Sequence, residues 1–356
     1  MAKKKVSLIN NMDLSSTDKE GVKGQRIVFI DLAKGICITL VVLYHVYGDM
    51  SGDVINMMTL FRMPLYFVLS GLFFKPYDGF FSFFKKKTNK LLIPFLLCLV
   101  FFNIPTTFLV DIINGDHSPI ANLLWEDGYR PNLGINKAIW FLFCLFLINI
   151  IFYIIFMVSK NYVYLCFLSF ICGFSGWYIG FSHISLPIWI DTALTAIPFF
   201  LMGYMMRHNG NILYKKISCS DYVICGICLL LLIIIYYYNK FQNTVIVNYI
   251  YNEYDANIIS VYLGGFVGTY LVLILSKIVS YIPILSYIGK YSIVVLITHQ
   301  AYRFFIRNIL YQMEIPQDSN FLNLFVFIIL MLIELPTIKY GIKYLPVCFA
   351  QKDLWK

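Results

Sequence analysis

Long apolar runs, broken by short polar stretches, divide this chain from one end to the other. Runs at 36–47, 91–110 and 139–158 approach the roughly 20 apolar residues that a helix needs to cross a bilayer core. The pattern predicts ten such helices, at 27–47, 54–74, 91–113, 138–158, 162–181, 188–206, 221–238, 258–275, 284–302 and 321–345. The expected fold is therefore all-α, a polytopic transmembrane bundle of about ten helices in one domain over 27–345. Residues 1–26 are polar and basic and read as a flexible cytoplasmic tail, with a second cytoplasmic tail over 346–356. A cleaved signal is not expected, because no small-residue cleavage site follows the first apolar run. No internal repeat and no separate soluble domain stands out.

Composition agrees with lipid as the solvent. Of 356 residues 60% are hydrophobic and 13% charged, well away from soluble averages of about half and a quarter. The net charge of +9 does not point to nucleic acid, because of where it falls. With the N-terminus inside, 21 of the 28 Lys and Arg lie in inner segments or at the inner ends of spans and five in outer loops. That bias places both termini in the cytoplasm and the protein in the cell membrane. Most of the nine cysteines sit inside apolar runs, where they pack as small hydrophobes; Cys225 and Cys228 have CxxC spacing but share a span. No spacing suggests a metal site.

Ionisable residues inside spans carry the chemical information, since each costs several kcal/mol in lipid unless paired or hydrated. Asp31, Lys34 and His45 fall on one face of the first helix, since eleven residues at about 100° each return Lys34 and His45 to within about 20°. The rise separates these two by roughly 16 Å, which suits a ligand lying lengthwise in the bundle. Arg62 enters the second span beside Pro64, which is expected to kink that helix. His299 lies at similar depth in the ninth span, so His45, Arg62 and His299 should converge in the outer third. Asp191 and Glu334 read as structural ion-pair candidates between helices. The longest outer loop, 114–137, brings Glu126 and Asp127 together with Trp125 and Tyr129, a mixture suited to a sugar.

The first two motifs also resemble acyltransferase family three, bacterial integral-membrane enzymes that O-acetylate surface glycans. The match opens with Arg26, Ile30-Asp31-Leu32-Ala33-Lys34-Gly35 and His45, and continues at Phe61-Arg62-Met63-Pro64-Leu65-Tyr66-Phe67. Lys34 stands where the family more often has arginine, and Arg62 where histidine is also common. Later similarities are Lys90-Leu91-Leu92-Ile93-Pro94-Phe95, Trp140-Phe141-Leu142, Ile288-Gly289-Lys290-Tyr291-Ser292 leading to His299, and Ile333-Glu334-Leu335-Pro336. The resemblance implies acetyl transfer from cytoplasmic acetyl-coenzyme A, a co-substrate rather than a resident cofactor, to a hydroxyl of an extracytoplasmic polysaccharide or lipid-linked saccharide.

Under that implication Lys34, with Asp31 beside it, meets a phosphate of the donor, and His45 acts as general base or transient acyl carrier. Arg62 or His299 stabilises the oxyanion, and Trp140, Glu126 and Asp127 contact substrate. Partners are then acetyl-coenzyme A, a glycan acceptor and membrane lipid, with no nucleic acid. A transporter or flippase of a lipid-linked saccharide is the alternative; internal repeats and paired broken helices would mark it, and neither is evident. A non-catalytic scaffold is the third, and it predicts that His45 and Lys34 can be replaced without loss.

Overall fold

The computed structural model describes residues 28–48, 52–108, 125–126, 129–208, 217–244, 247–317 and 319–355. Residues 1–27, which hold the expected N-terminal tail and Arg26, and most of the outer loop, including Asp127, lie outside the described residues. The chain forms α1 (Val28–Tyr47), α2 (Asp53–Met58), α3 (Arg62–Gly71), α4 (Phe80–Phe108) and α5 (Trp140–Val158). After these come α6 (Tyr162–Phe181), α7 (Ile190–His208), α8 (Cys219–Phe241), α9 (Ile258–Val279), α10 (Pro283–Lys290), α11 (Ser292–Gln312) and α12 (Asn320–Tyr344). Two short hairpins complete it: β1 (Trp125–Glu126) with β2 (Arg130–Pro131), and β3 (Val247–Asn248) with β4 (Glu253–Tyr254).

Helix starts follow side-chain capping that satisfies otherwise orphaned amides. Asn161 accepts from the Val163 amide at 2.9 Å, Asn257 from that of Ser260 at 2.8 Å, and Ser218 with Asp221 forms a capping box. Among the described residues nine helical segments are long and apolar enough to cross a bilayer, and the chain is a multi-pass membrane protein. Large apolar side chains stand outward on them, among them Phe101 (74% exposed), Val163 (72%) and Phe241 (85%). An apolar surface of that extent would be a liability in water and is what lipid covers.

Three expected spans take a different shape. The second is not one helix kinked at Pro64 but α2 and α3 separated by a turn at 59–61, so Arg62 opens a helix. The third begins at 80 rather than 91. Its backbone widens into π turns at Thr88–Leu92 and Leu99–Asn103, each just before or between the prolines at 94 and 105 that interrupt regular bonding. Lys85, Lys86, Lys87 and Lys90, expected in a loop, are thereby helical. The ninth, expected at 284–302, breaks at Tyr291 into α10 and α11, and α11 extends to Gln312, so Arg303 and Arg307 sit on a helix rather than in an outer loop.

The expected C-terminal tail is docked on the bundle. Lys90 donates to the Ala350 carbonyl at 2.7 Å, and Asn89 Oδ1 accepts from the amides of Leu354 and Trp355. Asp353 pairs with Lys86 and Lys90, each at 2.9 Å, and these ammonium groups hold its carboxyl below the usual carboxylate range.

α1 is the hub, packed against α3, α9, α10, α11 and α12. Its approach to α10 is backbone on backbone: a Cβ at Gly35 would overlap the Leu285 carbonyl oxygen, and one at Gly289 that of Asp31. Small residues at such crossings give membrane helices the close contact that an apolar solvent does not otherwise drive. Gly289→Val should therefore destabilise the bundle by about 1–3 kcal/mol, as overpacked cores do, and lower its melting temperature in detergent. An unchanged melting temperature would show that the two helices separate freely.

Candidate active site

Three cavities follow one another along α1. The first, about 370 Å3, has Lys34 from α1 and Lys87 and Lys90 from α4 around it, with Ser70 and Ser292. The second, about 190 Å3, holds Tyr44, His45, Arg62 and Trp140. The third, about 470 Å3, is bordered by His45, Lys137, Gln300 and Arg303. Tyr66, Phe141 and Leu296 border both the first and second cavities, and so form a partition one residue thick. His45, Lys137, Ile250 and Tyr251 are common to the second and third. In order along α1 the cavities thus present three lysines, the shared wall of Tyr66, Phe141 and Leu296, an imidazole with a guanidinium, and a wider outer chamber.

α1 is continuous from Val28 to Tyr47, so Lys34 and His45 stand on one rod about 16 Å apart. Lys34 Nζ lies over the Phe73 ring, 4.5 Å from its centre. Asp31 borders none of the three cavities. Because α1 ends at Tyr47, its last carbonyls lack helical partners, and α11 supplies them: Arg303 Nη1 donates to the His45 carbonyl and Arg307 Nη2 to that of Val46, both at 3.1 Å. Cations at a helix C-terminus also complement its dipole. The backbone carrying His45 is therefore clamped by two guanidinium groups.

Arg62 stacks on Tyr44, its guanidinium carbon 3.4 Å from the ring centre, and its backbone carbonyl accepts from the Cys37 thiol. Its Nη1 is a buried donor that meets no acceptor among the described residues, in a residue that lines the second cavity. Trp140 is buried in the same wall, its ring edge-on to Phe141.

His299 does come beside His45, with ring centres 5.4 Å apart. It is fully buried, however, and borders none of the three cavities, so it stands behind His45 rather than on a cavity wall. Its Nδ1 lies 2.7 Å from the Val295 carbonyl, which can only accept, so Nδ1 carries the hydrogen. With its hydrogen on Nδ1, the His299 ring has no second N–H to offer a ligand, whereas Arg62 keeps an unpartnered one.

Asp191 is fully buried and accepts from Arg130 Nη2 at 2.8 Å, from the Leu186 amide at 3.1 Å and from the Thr192 amide at 2.8 Å. Arg130 also donates to the Tyr251 carbonyl at 3.2 Å. Through it Asp191 ties the β3–β4 hairpin, whose residues 248–251 form one side of the chamber, to α7. Irregular backbone at such a place is tolerated because protein, not lipid, surrounds it. Glu334 is also fully buried; among the described residues its partner is the Thr298 hydroxyl, 2.8–2.9 Å from its two oxygens, rather than a cation. That contact fastens α11 to α12 one residue from His299. Glu126 takes part in the β1–β2 pairing through its backbone, and Trp125 and Tyr129 of that hairpin are exposed.

Several site residues were not evident from sequence. Arg130, Arg303 and Arg307 looked like loop charges, and only their long-range partners reveal a role. Lys87 and Lys90 were hidden in a basic cluster, although their i,i+3 spacing places them on one helix side. Tyr66 had a readable signal, lying one turn after Arg62.

The family model described as an acyltransferase domain matches residues 27–335 of the chain. Comparison with curated proteins and with solved structures returned no match.

The buried pair gives a structural test. Arg130→Ala leaves Asp191 uncompensated and should cost about 3–5 kcal/mol, seen as a large fall in melting temperature in detergent. Arg130→Ala combined with Asp191→Ala should recover part of that loss. No recovery would mean that the two residues act independently.

Proposed function

Because this chain belongs to acyltransferase family three, we propose that it is an O-acetyltransferase that moves acetyl from cytoplasmic acetyl-coenzyme A to a glycan hydroxyl across the membrane. The observation that carries this is the succession of cavities along α1, with lysines at one end and His45 beside Arg62 in the middle. The bias of Lys and Arg toward inner segments supports a cytoplasmic lysine end and an extracytoplasmic mouth.

The chemistry divides along the path. Lys34, Lys87 and Lys90 are compact charges suited to the donor's phosphates, and no carboxylate borders that cavity among the described residues. The thin thioester arm passes the septum of Tyr66, Phe141 and Leu296, which also keeps water of one side from the thioester on the other. The acceptor hydroxyl enters by Lys137 and Tyr251 and meets His45. Its oxygen attacks the thioester carbon while His45 removes the proton. Arg62 Nη1 receives the developing oxyanion, the C–S bond breaks, and His45 returns the proton to the thiolate. The products are an acetyl ester and free coenzyme A. The acceptor is a polysaccharide or lipid-linked saccharide of the cell envelope, brought to the mouth in or beside membrane lipid.

Purified protein in lipid nanodiscs, supplied with labelled acetyl-coenzyme A and envelope glycan, should yield acetylated glycan by mass spectrometry. His45→Ala should lower that rate by at least about 100-fold at equal abundance, in line with loss of a general base. Normal acetylation by this variant would remove the central step. Lys87→Ala and Lys90→Ala should each raise the KM for acetyl-coenzyme A about tenfold, the equivalent of about 1.4 kcal/mol, and make binding less salt-sensitive. A KM that stays constant in both would place the donor elsewhere.

A further inference from the structure

His299 lies outside the substrate path, yet its surroundings are specific. Its Nδ1–H is committed to the Val295 carbonyl at 2.7 Å, which leaves Nε2 as a bare lone pair. That nitrogen is fully buried and has no hydrogen-bond partner among the described residues. An unmet buried acceptor is costly, and such groups persist where something completes them. The ring centre of His45 is 5.4 Å away. Two imidazoles joined by an N–H···N bond of about 2.9 Å have centres about 5 Å apart once the ring radii are added, so a small rotation closes the contact. α11 is prevented from drifting, because Thr298 holds Glu334 on α12 and Arg303 and Arg307 hold the end of α1.

We propose that His299 is the positioning residue of His45: its Nε2 accepts from the N–H on the far side of the His45 ring, which fixes the tautomer whose other nitrogen faces the chamber. The inference rests on the acetyl-transfer function proposed above. It gives His299 the place that a carboxylate holds behind the histidine of a hydrolytic triad, with no negative charge. Glu334, the fully buried carboxylate of the neighbouring α12, is engaged by Thr298 instead. Arg62 and Arg303, both partly buried, already flank His45, so a full second proton on His299 would add a third cation, and one wholly buried on the side away from the developing oxyanion. His299 therefore orients and shares charge but does not relay the proton. The hydroxyl proton goes to the chamber-facing nitrogen of His45 and returns from there to sulfur, and the His45–His299 hydrogen stays on His45.

The test compares His299→Ala, His299→Leu and His299→Gln in nanodiscs at matched abundance, with acetyl-coenzyme A and envelope glycan. Gln keeps an acceptor oxygen and cannot take a proton; Leu fills the space without an acceptor. Expected are a fall in kcat of about 100-fold for Ala and Leu, unchanged KM for acetyl-coenzyme A, and activity within about tenfold of wild type for Gln. Leu retaining activity overturns the inference in favour of packing. Gln failing as badly as Ala overturns it in favour of a proton relay. If Ala and Leu do not accumulate, His299→Met, which fills the space without a comparable acceptor, takes the place of Leu and is expected to lose about 100-fold in kcat. Wild-type protein that turns over no acetyl-coenzyme A sinks the underlying function, whereas an inactive His45→Ala beside a fully active His299→Ala sinks only the dyad.

Discussion

The site depends on the immobilisation of α1. Toward its start the helix lies backbone to backbone on α10 through Gly35 and Gly289, and its final carbonyls are taken up by Arg303 and Arg307 of α11. In lipid there is no hydrophobic gain from pressing two apolar helices together, so close packing and polar clamps must supply the rigidity. A rod fixed at both ends keeps Lys34 and His45 at a set separation, and reactions that join two bound groups are sensitive to errors of about 1 Å.

Charge along that rod is of one sign at the cavities. Cations border all three cavities, and no carboxylate does among the described residues. The buried carboxylates are placed one layer back: Asp191 holds Arg130 and through it the β3–β4 hairpin, and Glu334 holds Thr298 and through it α11. Each is spent on a structural bond that positions a wall of the chamber. Lys90 ties the docked C-terminal segment to the lysine cavity, since it borders that cavity and also donates to the Ala350 carbonyl.

Much of this was legible in residue order. The apolar runs gave helical segments that the structure largely shares, and the helical repeat placed Lys34 and His45 on one side of α1. Where expectation and structure parted, the cause was local backbone chemistry or a distant partner. Pro94 and Pro105 are accommodated by π turns, and α4 starts early, at Phe80, taking the basic cluster into the helix. A break at Tyr291 converts one expected span into α10 and a longer, more polar α11 that carries both capping arginines.

The sequence by itself determined the solvent, the helical class, the family resemblance and the face of the first helix that carries Lys34 and His45. These depend on composition and on the angle between successive residues, which are properties of a chain taken one segment at a time. Tertiary structure alone decided that Arg62 faces His45, that His299 stands behind it with one nitrogen committed, and that Arg130, far along the chain, holds Asp191. Those are relations between helices, and in a bilayer the apolar faces that set them look nearly alike, so small residues and buried polar partners choose the neighbours.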